Sequence, residues 1–294
     1  MTSDRLLINV FNVDAALVVG RAKGLFDAAG IAVDTQVTPN STDQMRGLSK
    51  GAWPIVSTAF DNVLGWSGRE GAEIVAVVQI AQGITLPVYV RPEIKTWEDL
   101  RGKPLAVDAI DTAYALVLRR ILLEHGLEME RGGYSLIAKG TTGHRLDSMI
   151  RSETFAGVLN PPWDRKAEAE GMVRFADHRD VLPDYPGAVY AVERGWAKDN
   201  TATLVRFLQT WNHALCWCHE EANRAEALKL IAEAEKLDEK AAANRLRQLP
   251  AHGDLNLRGL QSVLDLRTLF KLAPPMGEDV TVYYDQTFYA EASK

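Results

Sequence analysis

The stretch "LLINVFNVDAALVVGRAKGLFDAAGIAVDTQV", residues 6–37, decides the fold. LLINVF is a continuous apolar run, which reads as a buried strand. NVDAALVVGRAKGLFDAAG then reads as one helix closed by Gly30, and IAVDTQV as the next strand. The same order continues. STDQMRGLSKG (41–51) predicts a short capped helix, AWPIVSTA (52–59) a strand, FDNVLGWSGREG (60–71) a helix and AEIVAVVQIA (72–81) a β-branched strand. Strand and helix alternating in this way imply a parallel sheet covered on both faces.

A second series of the same kind follows. LPVYVRPEI (86–94) is a strand ended by Pro92, and PLAVDAI (104–110), YSLIAKG (134–140), FAGVLN (155–160) and MVRFAD (172–177) are further strands. Between them DTAYALVLRRILLEHG (111–126), TTGHRLDSMIRS (141–152) and PWDRKAEAEG (162–171) read as helices. GAVYAVERGWA (187–197) alternates and leads the chain back to the first lobe, after which three Ala-, Leu-, Glu- and Arg-rich helices run from Asn200 to Leu249. The expected architecture is α/β with two lobes, each a mixed, mainly parallel sheet flanked by helices, and a helical C-terminal region. Lobe 1 comprises 1–86 plus 188–294, lobe 2 (87–187) is inserted, and the crossings lie near 83–90 and 185–192.

Composition narrows the partners. Charged residues make up 24% of the chain, the net charge is −6 and no basic arm or patch occurs, which argues against nucleic acid. No apolar run is long enough to span a bilayer, so no membrane insertion is expected. The N-terminus enters a strand without a basic n-region or a separate apolar h-region. A periplasmic location is expected if Met1 replaces a cleaved signal, and a cytoplasmic one if it is the native start. Cys216 and Cys218 stand two apart in a helical pattern and so point in different directions. His213, Cys216 and Glu220 share one face, but an ordinary helix with small buriable thiols is the reading preferred over a metal site.

In open α/β sheets a ligand lies beyond the carboxyl ends of the strands. The residues just after the strands are Asn12 to Asp14, Thr58 to Asn62, Asp108 to Tyr114, Thr141-Thr142 and Asn160 to Trp163. Asp14, Asp61, Asp111, Thr112 and Thr142 are good helix caps, and capping alone accounts for each singly. Their convergence at one end of the sheets favours ligand contact, and the Pro161-Pro162 pair holds Asn160 and Trp163 in a turn where a strand ends. No G-x-S-x-G, P-loop, H-E-x-x-H or G-x-G-x-x-G motif occurs. Of the six histidines only His144 falls at a strand-to-helix junction, where it reads as an exposed first-turn residue. To act as acid or base it needs a carboxylate in reach.

RAKGLFDAAGIAV (21–33), WEDLRGKPLAVDAIDTAYALVLRRILLEHGL (97–127) and RLDSMIRSETFAGVLNPPWD (145–164) resemble the solute-binding proteins of nitrate, sulfonate, taurine and thiamine-pyrimidine ABC importers. The resemblance covers about residues 5–215. It implies a type II periplasmic-binding-protein fold with a ligand clamped between lobes by hinge closure. Carried over by position, it places the ligand-contacting residues at Asn12, Asp14, Phe60, Asp61, Asn62, Asp108, Thr112, Tyr114, Thr142, Asn160 and Trp163. Two features depart from the pattern: the export signal is missing, and Trp53-Pro54 stand where similar proteins often carry an acid.

Two functional classes follow. The first is a solute receptor with a small-molecule ligand and, if exported, an ABC permease as partner; no cofactor and no metal are expected. The second is a cytosolic enzyme on the same fold, a decarboxylase, hydrolase or isomerase of a small aromatic or heterocyclic substrate, with Asp14, Asp61 and His144 as acid-base residues. Acidic residues at the helix starts, and no arginine in the strand-end set, point to a neutral or cationic aromatic ligand stacked on Trp163, Phe60 or Tyr114. Arg91 or Arg145 swinging in would reverse that charge argument.

Overall fold

The computed structural model describes residues 4–294, so Met1, on which the expectation about export turns, lies outside the described residues. The chain divides into two units: Met1–Gly83, Pro186–Gln261 and Pro274–Lys294 form the first, Ile84–Tyr185 and Ser262–Ala273 the second. The first unit opens with β1 (Asp4–Val10), α1 (Ala15–Ala22), α2 (Leu25–Ala28), β2 (Ile31–Val37), α3 (Ser41–Ser49), β3 (Ile55–Thr58), α4 (Phe60–Trp66) and β4 (Ile74–Gln79). In the second come β5 (Pro87–Val90), β6 (Lys103–Val107), α5 (Ala113–Glu124), β7 (Tyr134–Ala138), α6 (Thr142–Ile150), β8 (Ala156–Val158), α7 (Trp163–Ala169) and β9 (Val173–Asp177). Then follow β10 (Val189–Glu193), α8 (Arg194–Asp199), α9 (Thr201–His219), α10 (Arg224–Glu235), α11 (Glu239–Arg247), α12 (Leu257–Leu269) and α13 (Thr287–Ala292).

Each unit carries one five-stranded mixed sheet, with strand orders β2-β1-β3-β10-β4 and β7-β6-β8-β5-β9. Within each, the pairs built by strand-helix-strand connections are parallel. The reversed strands are β10, antiparallel to β3 and β4, and β5, antiparallel to β8 and β9. These are the two strands that follow a passage from one unit to the other, and neither is preceded by a crossover α-helix. A parallel neighbour requires such a crossover. Strand-helix alternation therefore reports the parallel pairs and is silent about the two reversed ones.

Two local expectations are corrected. Residues 12–30 are not one helix: Gly24, left-handed at φ 68°, separates α1 from α2. The break folds Phe26 back so closely that a Cβ on Gly20 of α1 would lie 2.7 Å from the Phe26 ring. The second concerns residues 262–273: the sequence places them in lobe 1, and they group with the second unit. There the Arg119 guanidinium stacks over the Phe270 ring, 4.0 Å from its centroid.

The first unit's core runs from Ile8, Val10 and Leu17 to Phe207 and Trp211, so the C-terminal helices close one face of that sheet. Burying each such large side chain contributes about 1.5–3 kcal/mol. On α9, Cys218 is buried and Cys216 exposed, while His219 Nε2 hydrogen-bonds with the Pro250 carbonyl at 2.8 Å. Among the described residues no helix is long and apolar enough to cross a membrane.

His178 sits where the second unit begins and ends. Its Nδ1 accepts a hydrogen bond from the Leu86 N–H at 3.3 Å, and its ring meets the Tyr185 ring edge-on. Burial lowers its pKa below the ordinary 6.5, against the nearby Asp177 carboxylate. A depressed imidazole supplies stability that is present above its ordinary pKa and lost as the pH falls through the folded value. We therefore expect thermal denaturation of the wild type to show stability falling as the pH drops below about 6.5, where His178→Gln, an acceptor that does not titrate, gives a flatter profile. Parallel profiles would remove His178 from the acid response.

Candidate functional site

At the carboxyl end of β1 the first unit turns sharply into α1. Phe11 is 39% exposed, a large apolar side chain beside the strand end, and Asn12 is exposed next to it. Asp14, the N-cap of α1, accepts from the Leu17 N–H at 3.0 Å. It also accepts from Trp211 Nε1 at 2.9 Å and from the Tyr190 hydroxyl. Burial raises the Asp14 pKa against these donors and the charge of Arg245. Asp14 is therefore turned into the unit, with all three donors supplied by the protein.

The β3 end is similarly occupied. Phe60 is only 1% exposed and Asp61 is buried in the first turn of α4. Asn62 Nδ2 donates to Thr58 Oγ1 at 2.9 Å. Gln44 of α3, absent from the expected set, is buried and donates through Nε2 to the carbonyls of Asn9 (3.2 Å) and Ser57 (3.1 Å). It thereby joins the ends of β1 and β3 from one side. Phe60 has no face to offer a stacked ring, whereas Phe11 does.

In the second unit Arg145 organises the strand ends. It is 1% exposed, and its three nitrogens donate to the Val158 carbonyl at 3.1 Å, the Gly140 carbonyl at 2.7 Å and Thr142 Oγ1 at 2.8 Å. Thr142 Oγ1 passes a hydrogen bond on to Asn160 Oδ1 at 2.8 Å. The guanidinium lies over the Tyr114 ring, 5.5 Å from its centroid. Burial lowers the Arg145 pKa, and Asp108 and Tyr114 oppose that shift. Asp108, itself raised by burial, accepts from Thr112 Oγ1 at 2.6 Å.

Of the expected caps, Asp14 caps α1 and Thr112 caps α5; Asp111 does not cap, Asp61 lies in the first turn of α4 after Ala59, and α6 is capped by Thr141, one position before Thr142. The Trp163 indole packs on the α6 backbone, where a Cβ on Gly143 would lie 2.8 Å from the ring, and Lys166 Nζ lies 4.2 Å from its centroid. Both arginines that could have swung toward a ligand are engaged within the unit. Arg145 bonds as described, and Arg91 donates to Glu93, Ser152 and the Met149 carbonyl. His144 is exposed on α6, and among the described residues its ring has no hydrogen bond or ion pair. In the first unit Phe11 and Asn12 are open to solvent; in the second Ile110 (50% exposed), Asp111 and Thr141 are, and Asn160, after β8, is half-buried.

Residues 10–232 match the model of the NMT1-like family; the match spans more than half of the chain, which belongs to that family. Solved structures agree on the fold. The alkanesulfonate-binding protein SsuA of Xanthomonas axonopodis pv. citri superposes with a TM-score of 0.74 at 16% identity, covering 96% of this chain and 98% of that one. The periplasmic aliphatic sulphonate binding protein SsuA of Escherichia coli gives 0.74 at 18% identity, covering 96% and 92%. The periplasmic nitrate-binding protein NrtA of Synechocystis PCC 6803 gives 0.74 at 12% identity, covering 100% and 88%. No curated protein sequence matches the chain. The architecture is that of the two-lobe periplasmic binding proteins.

Removing Arg145 tests whether it is structural. Arg145→Met leaves the Val158 and Gly140 carbonyls without their donor, and each buried orphan costs about 1–3 kcal/mol. Urea unfolding should show a loss on the order of 2–4 kcal/mol. An unchanged midpoint would mean that the guanidinium is available for other work.

Proposed function

We propose that the chain is the solute-binding component of an ABC importer, working in the periplasm, and that it holds a small neutral or cationic aromatic or heterocyclic solute at its strand ends. Membership of the NMT1-like family, together with the fold shared with sulfonate- and nitrate-binding proteins, supports the receptor role. The charge of the solute rests on a different observation: the two arginines near the strand ends are both engaged by their own unit. A sulfonate or nitrate needs a cation or a cluster of free donors, and breaking the Arg145 bonds to make one leaves buried carbonyls unpaired.

In this reading the first unit meets the solute with Phe11 as the apolar contact and the Asn12 amide as the polar one; Ile110 and the Asn160 amide are the corresponding side chains of the second unit. Thr142, Asp108, Thr112 and Tyr114 hold the second unit's strand ends in shape. Asp14 and His144 do no acid-base chemistry: the carboxylate is held by three donors of the protein, and the imidazole lies exposed without a partner among the described residues.

The experiment is a thermal-shift comparison of 4-aminopyrimidine, benzylamine, benzenesulfonate and nitrate, with mass spectrometry of each compound after incubation. A solute at a hundredfold excess over Kd stabilises by about 2.7 kcal/mol, a rise of roughly 4–5 °C for a protein of this size. We expect the amines to stabilise, to be recovered unchanged, and to lose most of the shift with Phe11→Ala. Stabilisation by nitrate or benzenesulfonate alone contradicts the assigned charge, and a compound recovered with altered mass contradicts the receptor role.

A further inference from the structure

We propose that Asp14 and Arg245 are positioning residues for solute binding, through which β10 and the C-terminal helices fix the Phe11–Asn12 edge at the end of β1. The inference rests on the solute-receptor reading above and adds to it which distant elements shape the first unit's contribution.

The segment between β1 and α1 is only four residues long, Phe11 to Asp14. Its start is pinned where Val10 O accepts from the Thr38 N–H at 2.8 Å. At its far end the Val13 carbonyl accepts from Arg245 Nη2 at 2.6 Å, while Arg245 is itself oriented by Glu235 at 2.9 Å. The Asp14 carboxylate is held by Trp211 of α9 and by Tyr190 of β10. Both of these side chains are fully buried, and their rings meet edge-on at 6.2 Å.

Helix capping does not account for this arrangement. The side chains of Asn40, Thr141 and Asp238 cap α3, α6 and α11 using only residues within three positions of themselves. Any of those residue types would satisfy the Leu17 N–H. Asp14 instead takes a carboxylate out of water and gives it two donors from elements 176 and 197 residues away. Burial of an ion without a direct counter-ion is a poor source of stability. What the arrangement does achieve is geometric: three separate elements determine where the backbone of Asn12 and Val13 lies, and so where Phe11 and Asn12 face solvent.

The test is amide hydrogen exchange of the free protein, followed residue by residue in wild type, Arg245→Met, Asp14→Asn and Tyr190→Phe. Tyr190→Phe keeps the buried ring and removes one donor, so it serves if Asp14→Asn fails to fold. Exchange at Leu17, Val18 and Thr38, whose amides donate to Asp14 Oδ1, Asp14 O and Val10 O, should quicken by about tenfold or more, while exchange in β6 and β7 of the second unit stays as in the wild type. Dissociation of 4-aminopyrimidine, followed by stopped flow, should quicken in the same variants. Unaltered exchange at these three amides overturns the proposal, as does faster exchange with unaltered dissociation. A wild type that binds neither 4-aminopyrimidine nor benzenesulfonate overturns the underlying solute assignment instead, while the exchange pattern still decides whether the segment is held.

Discussion

Asp14 has exchanged water for three donors of the protein, and the organisation of the first unit follows from keeping them in place. One donor is local, the Leu17 N–H. The others come from the reversed strand β10 and from α9. A buried carboxylate tolerates no missing partner. The sheet, the returning strand and the C-terminal helices therefore share one geometric requirement, and the helices that follow β10 are part of the strand-end architecture as well as a cover for the core.

The second unit meets a similar demand with a cation. Arg145 draws Val158, Gly140 and Thr142 together, and Thr142 carries the connection to Asn160. Both units thus hold their arginines near the strand ends, and Asp14, internally. The groups left at the strand ends are Phe11 and the Asn12 amide in the first unit, and Ile110, the Asn160 amide and one carboxylate, Asp111, in the second. Such a surface selects by shape, stacking and a few hydrogen bonds. That is the physical basis for expecting a neutral or cationic aromatic solute on a fold shared with sulfonate- and nitrate-binding proteins.

Much of this was legible in the sequence because its signals were local. Buried strands read as apolar runs: LLINVF overlaps most of β1, and AEIVAVVQIA and FAGVLN contain β4 and β8. Strand-helix alternation located the parallel pairs. The antiparallel placement of β5 and β10 was not legible, since it depends on where the chain arrives from the other unit. Gly24 looked like an interior helix glycine, yet its left-handed backbone splits α1 from α2. At the strand ends the caps Asp14 and Thr112 were legible, whereas Thr141, not Thr142, caps α6. Phe60 and Phe11 each stand within two residues of a strand end, but one is buried and the other exposed. Only the packing of β1 and α4 decides between them. Gln44 and Arg145 lie inside helices, where no strand-end rule looks, and their long side chains reach back to the strands. Neither residue type has a pattern that reveals such a reach.

The most direct measurement is a crystal structure of the protein with 4-aminopyrimidine bound. The account predicts the solute against Phe11 and the Asn12 amide, with the three hydrogen bonds of Arg145 and the three of Asp14 intact. A guanidinium turned from Val158 and Gly140 toward the bound molecule, or Asp14 released from Tyr190 and Trp211 to touch it, would contradict it.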